Sequence, residues 1–519
     1  MKVFGAACAL LLSVSIQCPC FGFAADSGPQ PLAFPELVSL AVQEPVPPGL
    51  DAKLDALLTT PFIHNDSGAM SARDSSSLHV AEWNINRGEN EDDILLALTD
   101  AQRYVSRVRE NAQPDAKKLS ELSDQLRELQ RADVLVLDEV DYGVKRTKYR
   151  NVARDISNAL HMNYAYAVEF VELNRIYLGS TRPSATVAID GTKRDFGVDR
   201  DRYLGLEGSA ILSRFPILSA RIIRLPAEYD WYHAEIKALS DIERVRRWTA
   251  DRIFDEEIRR QIRRGGRMAL VVDLKVSNSP TGIVTVVCPH LEDYCGAKGR
   301  RRQLDDLLPQ IAGIRNPVIL AGDMNTVGHN GRPLTPRRAL RRYVLNYRVW
   351  AREVLYLVLP IPAAGELFRA ANYVKNLHDP TAFSVPLVLR NPSRAFFKDL
   401  SAFRFEDGGR FSFDGDRSRS FGKKGSTLAD SNQRAAKGFA RTFSFNRTYG
   451  GLFGTYKIDW FFVKQPAATA TWRFDPEFGR TLDLVNTAFE QRISDHAPIA
   501  ITVLGSGNSN PANDAPSSR

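Results

Sequence analysis

The 519-residue chain is 44% hydrophobic and carries 69 Lys and Arg residues against 61 Asp and Glu residues. This composition excludes a disordered chain, and the length suffices for one large core with insertions or for two ordinary domains. The isoelectric point near 9.1 is a modest basic bias that would attract polyanions or anionic lipid heads. It is equally typical of a soluble protein of ordinary charge.

Residues 1–25 have the pattern of a cleaved secretory signal. One lysine is followed by an apolar stretch and by a cleavage-site pattern with small residues at Phe23-Ala24-Ala25. We therefore expect an exported chain, periplasmic or secreted, that begins near Ala25 or Asp26. A retained N-terminal anchor is the alternative. Cleavage would remove Lys2 and no acid, which leaves a charge of +7. No other stretch is long enough to cross a bilayer.

Only Cys288 and Cys295 lie outside this segment, which holds the other three of the five cysteines. In an oxidising compartment, two cysteines this close are expected to form a disulfide that closes the loop CPHLEDYC. Two free buried thiols are the alternative.

The predicted elements begin after a weakly periodic N-terminal region. Residues 26–77 are rich in Pro, Ser and Asp, which predicts a linker or a loosely attached N-terminal wrap. From residue 78 the apolar patterns alternate between those of strands and helices. The segments typical of strands are LHVAEWNINR, ADVLVLDEV, YAYAVEFVEL, LEGSAILSRFPI, MALVVDLKV, GIVTVVCPH, VILAGDMNT, TYKIDWFFVK and ISDHAPIAITVL. The predicted helices are 91–131, NVARDISNAL, 241–264 and 300–314.

Three further regions complete the chain. MALVVDLKV and GIVTVVCPH are expected to form a hairpin across SNSPTG. Residues 331–454 read as an insertion with a basic, partly apolar helical region and a tract rich in Gly, Ser, Arg and Lys. Residues 505–519 read as a disordered polar tail.

Polar side chains stand at one end of several predicted strands. Alone, each signal is weak, because Asp-x-Asn is often a turn and a single histidine is more often a core residue than a catalyst. Independent strands that all end in this way are hard to explain as accidental burial, since an unpaired buried charge is costly. The candidate site residues are Asn84, Glu139, His290, Asp323, Asn325, Asp459, Asp495 and His496.

The motifs around these residues resemble those of a known family. AEWNINRG, DVLVLDEV, EGSAILSRFPI, VVCPHLED, ILAGDMNT, KIDWFFV and ISDHAPI are similar, in order, to the successive motifs of the endonuclease/exonuclease/phosphatase superfamily, which has the DNase I-like fold. The resemblance covers about residues 78–504, with 331–454 poorly matched. It implies an α/β fold, a four-layer α/β sandwich with two packed mixed sheets, and a divalent-metal site that hydrolyses phosphoester bonds.

The chemistry of a phosphodiester agrees with these residue types. The substrate is anionic and repels hydroxide, so cleavage needs a hard cation, and Mg²⁺ prefers carboxylate, amide and water oxygens. The resemblance implies Glu139 as the principal ligand, with Asn84, Asp323 and Asp495 completing or flanking the metal and water site. It also implies that Asn325 orients the phosphate. We expect Mg²⁺, with Mn²⁺ or Ca²⁺ as alternatives, because no Cys-rich or multi-His cluster suggests zinc.

His290 and His496 match the catalytic histidine pair of the family. An imidazole beside a carboxylate keeps a fixed tautomer and a raised pKa, so it can accept a proton from water or stabilise developing charge. By the same resemblance, Asp459 is the partner of His496 and Glu207 is the partner of His290. The first pair is expected to activate water and the second to stabilise phosphate or the leaving oxygen. The two roles could be exchanged, and Asp323 could also serve as the base.

Three positions depart from the family pattern. Asp138 stands where Gln commonly precedes the metal-binding Glu, and it adds a charge near the metal. Pro289 replaces a common Thr, and Ser209 replaces a common Asn, which leaves one expected polar contact in doubt.

The sequence leaves the substrate open between a nucleic acid and a lipid phosphodiester, as for a sphingomyelinase-like enzyme. Nucleic acid is favoured by the charge and by the basic residues Arg244, Arg246, Arg247, Arg259, Arg260, Arg263, Arg264, Lys423 and Lys424. The apolar stretch 354–365 would suit lipid, although a packed helix end is its simpler interpretation. A catalytically dead binding protein is the third alternative, and the intact site motifs argue against it. No stable protein partner is implied.

Overall fold

Two large mixed sheets dominate the structure, a computed structural model that describes residues 26–65, 77–112, 115–173, 198–237, 241–249, 251–252, 255, 261–326, 393–412, 441–446, 455–467, 470, 472–487 and 492–507. The strands are β1 (Asp26–Ser27), β2 (Phe62–His64), β3 (Ser77–Arg87), β4 (Val134–Tyr142), β5 (Asn163–Glu172), β6 (Leu206–Ser213), β7 (Ile217–Arg224), β8 (Arg263–Gly265), β9 (Met268–Lys275), β10 (Ile283–His290), β11 (Val318–Asp323), β12 (Arg410–Ser412), β13 (Phe443–Ser444), β14 (Thr455–Tyr456), β15 (Asp459–Gln465), β16 (Trp472–Thr481) and β17 (Ile499–Gly507).

The first sheet has the order β1-β2-β5-β6-β4-β3-β17-β16, with β8 paired to β5. Its β3 and β4 are parallel, whereas β4 and β6 are antiparallel. The second sheet has the order β12-β15-β11-β10-β9-β7. There β10 and β11 are parallel, and β9 and β10 form the predicted hairpin, with Lys275 opposite Ile283. Both sheets are therefore mixed.

The described helices are α1 (Phe34–Val42), α2 (Pro48–Thr59), α3 (Glu91–Thr99), α4 (Ala101–Ala112), α5 (Ala116–Gln130), α6 (Val152–Leu160), α7 (His233–Ile236), α8 (Asp241–Thr249), α9 (Ala297–Ile311), α10 (Arg394–Ala402) and α11 (Asp483–Thr487). None of the helices in this described part of the chain is long and apolar enough to span a membrane. The region predicted as one helix, 91–131, is divided into α3, α4 and α5.

The alternation of side chains along β3 shows how the layers are built. Trp83 and Ile85 pack with apolar residues of α3 to α6 on one face of the first sheet. Val80 packs on the opposite face, in the core shared with the second sheet and with α9 and α10. Successive strand residues point to opposite faces, so one strand contributes to both cores. The predicted four-layer α/β sandwich is confirmed.

The N-terminal region is more ordered than its composition suggests. Residues 26–65 form two helices and two short strands, and β2 extends the first sheet by pairing with β5. Leu37, Leu40 and Leu57 are fully buried. The prediction of a linker or a loose wrap is therefore wrong for this part, because the leucines of the two helices supply an apolar face that the core covers.

The helix predicted over 241–264 is shorter in the structure. The structure describes an α-helix over Asp241–Thr249, and Arg263 and Arg264 lie in β8, where they pair with Glu172 and Val171 of β5. In this helix the side chains of Val245 and Trp248 are 61% and 58% exposed. The C-terminal end of the predicted helix is instead a strand at the sheet edge.

Parts of the predicted insertion 331–454 belong to the sandwich. In α10, Phe396 and Leu400 are buried in the core next to the second sheet, and β12 pairs with β15. β17 continues to Gly507, two residues beyond the predicted start of the tail. The predicted signal 1–25, the apolar stretch 354–365, Lys423, Lys424 and residues 508–519 lie outside the described residues.

Candidate active site

The candidate residues meet where strands of the two sheets end side by side. Asn84 and Glu139 come from β3 and β4 of the first sheet. His290, Asp323 and Asp459 come from β10, β11 and β15 of the second. The facing sheets therefore bring together side chains that are far apart in sequence.

Three β-bulges lie at this point of the first sheet, on the neighbouring strands β3 and β4 and on β5, which is separated from β4 by β6. The pairing register shifts between Asn84 and Arg87 in β3, between Leu137 and Val140 in β4, and between Val168 and Phe170 in β5. Glu139, within the second bulge, has a positive φ of 51°. Bulges re-aim side chains, and positive φ in a non-glycine residue is retained mainly where the surrounding structure requires it.

The Asn84 amide connects the two principal acids of the predicted metal site. Its Nδ2 donates to Glu139 Oε1 at 3.4 Å and to Asp323 Oδ2 at 3.2 Å. The Asn325 backbone N–H donates to Asp323 Oδ1 at 2.8 Å, and its side-chain Nδ2 donates to the Leu291 carbonyl at 2.9 Å. Asp323 is thus fixed from two sides.

His496 and Asp459 form the predicted pair. His496 Nδ1 lies 2.9 Å from both Asp459 carboxylate oxygens. Burial lowers the pKa of His496, but the Asp459 carboxylate outweighs this effect and holds the pKa well above its ordinary value. The Trp83 indole N–H donates to the His496 carbonyl at 2.9 Å, and Phe443 packs edge-on against the ring. The imidazole is therefore held in one orientation.

The predicted partner of His290 is wrong. His290 Nδ1 lies 3.0 Å from Oε1 of Glu169, not near Glu207. Glu169 occupies the bulge of β5, and this extra residue turns its carboxylate toward the second sheet. Glu207 instead accepts from Arg263 at 2.9 Å. The available signal was an acid inside YAYAVEFVEL, since a charged residue within a fully buried strand needs a partner.

His290 also contacts the buried Arg267. Arg267 NH1 lies 2.9 Å from both ring nitrogens of His290 and 2.9 Å from Glu169 Oε2. Burial and the guanidinium lower the pKa of His290, whereas the Glu169 carboxylate raises it, and the result is a pKa of about 9. Arg267 is not among the site residues that the sequence motifs predict.

The two imidazoles converge on one carboxylate oxygen. Nε2 of His290 and Nε2 of His496 each lie 3.8 Å from Asp323 Oδ2. Burial first, and then the neighbouring Asp459 carboxylate, raise the pKa of Asp323 to about 7. The Asp323 carboxyl group therefore holds its proton more readily than an ordinary aspartate.

Asp495 stands at the more open side of the site. Ser494 Oγ donates to the Asn84 carbonyl at 2.7 Å, which ties this loop to β3. Burial raises the pKa of Asp495, and the Glu139 carboxylate acts in the same direction. Asp495 is thus electrostatically linked to Glu139, as expected of two acids that flank one ion.

The structure contradicts the predicted disulfide, because Cys288 and Cys295 are both free. Cys288 is buried, and its Sγ donates to Asp138 Oδ1 at 3.2 Å. Cys295 lies beyond the end of β10, with its Sγ 3.4 Å from the Glu292 carbonyl. The short sequence separation did not bring the thiols together because the β10 pleat points Cys288 into the core.

Asp138, the departure from the family pattern, is fully hydrogen-bonded. It accepts from Ser209 Oγ at 2.7 Å and from the Asp323 backbone N–H at 2.8 Å. Ser209 Oγ also lies 2.8 Å from Glu169 Oε1, so Ser209, the second departure, connects both carboxylates. The two departures therefore form one buried polar contact.

Two groups of side chains could hold a metal ion among the described residues. In each, the ligand atoms lie within 4.8 Å of one another, and the groups are Asp323 with Asp459 and His496, and Asp138 with Glu169 and His290. Arg267 already contacts the second group. The first adjoins Glu139 through Asn84, and its oxygen-rich donors fit a hard cation such as Mg²⁺.

Two buried residues near the site were not anticipated. Both carboxylate oxygens of Glu82, which is fully buried, have no hydrogen-bond partner among the described residues. Burial, with the nearby carboxylates of Asp459, Asp138 and Asp323, raises its pKa well above the ordinary value. Burial also lowers the pKa of Lys457 to about 7. Neither residue is marked by the strand-end pattern that identified the other residues.

The chain is similar to a known protein family and to several solved structures. A sequence profile described as the endonuclease/exonuclease/phosphatase family matches residues 81–496. Among solved structures, a similar one is an endonuclease/exonuclease/phosphatase from Beutenbergia cavernae, at 14% identity and a TM-score of 0.34, covering 82% of this chain and 71% of the other. The human Nocturnin catalytic domain with bound sulfate gives 12% identity and 0.34, covering 84% and 97%. A family protein from Bacteroides thetaiotaomicron gives 14% and 0.35, covering 82% and 97%. No curated protein sequence matches the chain.

Proposed function

The chain belongs to the endonuclease/exonuclease/phosphatase family, and from this premise we propose that it is a Mg²⁺-dependent phosphodiesterase whose favoured substrate is a nucleic acid. The observation that carries the proposal is the arrangement of two carboxylate-bound histidines around Asp323. Each imidazole directs Nδ1 to a carboxylate and Nε2 to within 3.8 Å of the same Asp323 oxygen.

The hydrogen bonds define what each histidine can do. An Nδ1–H that is donated to a carboxylate leaves Nε2 of His496 to exchange a proton with substrate or water, whereas Nε2 of His290 also lies 2.9 Å from Arg267 NH1. In hydrolysis, a water oxygen bonds to phosphorus, one P–O ester bond breaks, water loses a proton and the leaving oxygen gains one. Nε2 of His496 would accept the first proton, and Nε2 of His290 would donate the second or stabilise charge. The geometry equally permits the exchange of these two roles.

The metal would be held by Glu139 and Asp323, with Asn84 and Asp495 beside them. A bound divalent cation supplies positive charge that neutralises the phosphate and lowers the pKa of the attacking water. Asn325 would orient the phosphate, although its Nδ2 already donates to Leu291. The buried carboxylates explain why a cation, rather than a neutral group, suits this position.

The direct test is hydrolysis by the purified protein of plasmid DNA, RNA, sphingomyelin and a chromogenic phosphodiester, with Mg²⁺ or with chelator. We expect activity only with metal, and Glu139→Gln should lower it by about 100-fold or more because a ligand is lost. Glu110→Gln, at an exposed position of α4, is the matched control. Full activity in excess chelator would contradict the proposal.

A lipid phosphodiester is the second candidate, and the exposed Val245 and Trp248 favour it. In addition, Arg263 and Arg264 lie in β8 rather than on the predicted basic helix, which weakens the argument for nucleic acid. Phosphate contacts weaken steeply with salt, whereas apolar insertion does not. Binding of a His290→Ala, His496→Ala protein to duplex DNA and to neutral vesicles, at low and high salt, separates the two. Salt-resistant vesicle binding without DNA binding would favour lipid.

Export is part of the proposal and rests on the sequence of residues 1–25 alone. Expression of the full chain, followed by cell fractionation and N-terminal sequencing, tests it. Recovery outside the cytoplasm with a start near Ala25 or Asp26 is expected. A cytoplasmic chain that begins at Met1 would contradict it.

A further inference from the structure

We propose that Arg87 is a substrate-binding residue that donates hydrogen bonds to a phosphate group beside Glu139. This inference rests on the proposed phosphoester hydrolysis and deepens it, because it names a cationic contact for the substrate. Arg87 lies in the motif AEWNINRG but is not one of the candidate site residues named above. Its backbone, its contacts and its difference from the neighbouring arginines support the assignment separately.

The backbone at Arg87 is unusual. Asn86 and Arg87 have consecutive positive φ angles of 47° and 65°, and Gly88 follows with 76°. Two successive non-glycine residues in the left-handed region are uncommon, and such a conformation is retained mainly where the surrounding structure requires it. The same residues lie at the bulge of β3. The bulge directs the Arg87 side chain toward Glu139 and Glu207. The unusual backbone therefore places the guanidinium beside the predicted metal site.

The guanidinium of Arg87 is weakly paired. Its Nε donates to Glu207 Oε2 at 3.4 Å, and NH2 lies 3.7 Å from Glu139 Oε2. Both distances exceed the roughly 2.7–2.9 Å typical of charge-assisted hydrogen bonds. Among the described residues, no hydrogen bond engages either terminal nitrogen, and the side chain is 20% exposed. Arg87 therefore retains hydrogen-bond donors that can reach a ligand.

The other arginines of the same network are engaged differently. Arg146 donates to Asp141 at 2.7 Å. Arg263 donates to Glu207 at 2.9 Å and is sandwiched between the Phe170 and Trp231 rings. Arg263 is the closest cation to Glu207 in the described part of the chain, and Arg146 NH2 and Arg87 Nε each lie 3.4 Å from it. Without Arg87, Glu207 would keep Arg263 and Arg146 as cationic partners. The fourth arginine, Arg267, is bound to Glu169 at 2.9 Å.

Charge balance identifies the class of ligand. Arg87 lies near two carboxylates, Glu207 and Glu139. Glu207 has a closer arginine partner, Arg263, whereas Glu139 has none among the described residues. A divalent cation at Glu139 would neutralise that carboxylate and leave the guanidinium with excess positive charge. A phosphate oxygen is the complementary partner, because the planar fork of arginine matches phosphate geometry. The ligand class is therefore a phosphate monoester or diester group, tested here with inorganic phosphate.

The first test uses the wild-type protein and does not depend on activity. Phenylglyoxal modification, followed by peptide mass spectrometry, should label Arg87 faster than Arg146, Arg263 and Arg267. Inorganic phosphate should slow Arg87 labelling several-fold relative to chloride at equal ionic strength. Arg410 should show no protection by phosphate. It is exposed on β12, opposite Gln465, which is at the other end of β15 from Asp459. Equal labelling of Arg87 with phosphate and chloride would overturn the proposal.

The second test compares Arg87→Met, Arg87→Lys and Arg410→Met. Loss of a charge-assisted contact should lower kcat/KM of Arg87→Met by about 10- to 100-fold, with partial recovery in Arg87→Lys and no change in Arg410→Met. Mn²⁺ affinity, measured by titration, should not fall, which separates substrate binding from support of Glu139. An active wild type with an unimpaired Arg87→Met would refute the role of Arg87. An inactive wild type would refute the proposed function, and the protection experiment would still decide the phosphate contact.

Discussion

At His496, two opposing effects decide the protonation state. Burial removes water from the imidazolium and lowers the pKa, but the hydrogen-bonded Asp459 carboxylate outweighs it. The same carboxylate fixes the proton on Nδ1, which leaves Nε2 directed toward Asp323. A histidine that must act as a base is therefore held in its charged form until the pH rises or a cation adds positive charge nearby. We expect hydrolysis to increase toward alkaline pH.

Replacement of Asp459 tests this assignment. Asp459→Asn removes the charge that raises the pKa of His496, so the acidic limb of the pH–rate profile should move to lower pH. The maximal rate should fall by about 10²- to 10⁴-fold, because the amide can favour the wrong tautomer. The measurement is kcat/KM against pH for both proteins. An unchanged acidic limb would mean that another group controls it.

The corrected partner of His290 gives a paired prediction. Glu169→Gln should lower kcat by about 100-fold or more, since an oriented proton-transfer group contributes 10²- to 10⁴-fold. Glu207→Gln should mainly lower stability, by about 3–5 kcal/mol, because it leaves buried arginines without their carboxylate. Activity and the free energy of unfolding are measured for both variants. The opposite result would restore Glu207 as the catalytic partner.

Lys457 predicts how stability depends on pH. Burial lowers its pKa from 10.5 to about 7, so between these values the unfolded chain binds more protons than the folded one. Its unfavourable contribution to stability is therefore largest below about pH 7 and diminishes as the pH rises toward 10. Lys457→Met should raise the free energy of unfolding more at pH 6 than at pH 9. Denaturant unfolding at both values measures this, and an equal effect would mean that the lysine is not buried as a cation.

At the scale of elements, the bulges of β3, β4 and β5 shape the site. They turn Arg87, Glu139 and Glu169 away from the positions that a regular pleat would give them. Gly208 of β6 lies opposite, paired with both Val140 and Val168. A Cβ at Gly208 would meet the Ala167 carbonyl oxygen at 1.9 Å. The close approach of the bulged strands thus requires a glycine.

Gly208→Ala should therefore destabilise the protein by about 1–3 kcal/mol through forced backbone shifts and should reduce activity by displacing Glu139 and Glu169. Gly49→Ala is the matched control, because nothing lies within 4 Å of a Cβ in that part of α2. It should raise stability by about 0.4–1 kcal/mol. Thermal unfolding and kcat are measured for both. A neutral Gly208→Ala would show that the bulges adapt without cost.

The same elements show what the sequence could and could not predict. The strand ends that carry Asn84, His290 and Asp323 could be predicted from the sequence. An apolar run that stops at a polar residue can be recognised without knowing which strands lie beside it. The pairing of His290 with Glu169 instead of the predicted Glu207 depends on a bulge in β5. The sequence does not reveal this bulge, because a register shift arises only when strands pair. The position of Arg263 and Arg264 in a strand could not be predicted for the same reason. Helical periodicity in the sequence does not show that a sheet edge is available for pairing.

Across the whole molecule, the site joins the two sheets. Asn84, Glu139 and Glu169 belong to one sheet, and His290, Asp323 and Asp459 belong to the other. Away from the site, the layer between the sheets is built of apolar residues that include Val80, Val136 and Val286. A cation held by Glu139 and Asp323 would bind only when the sheets are packed, so it should stabilise the folded protein as a unit.

Mg²⁺ should therefore raise the unfolding midpoint of the wild-type protein. Binding to the folded state alone contributes about 2.7 kcal/mol when the free ion is 100 times its dissociation constant. Glu139→Gln and Asp323→Asn should each lose most of this gain, although these residues lie on different sheets, whereas Glu110→Gln should retain it. Unfolding is followed with Mg²⁺ and with chelator at equal ionic strength. If only one of the two variants lost the stabilisation, the ion would belong to a single sheet, and the two-sheet site would be refuted.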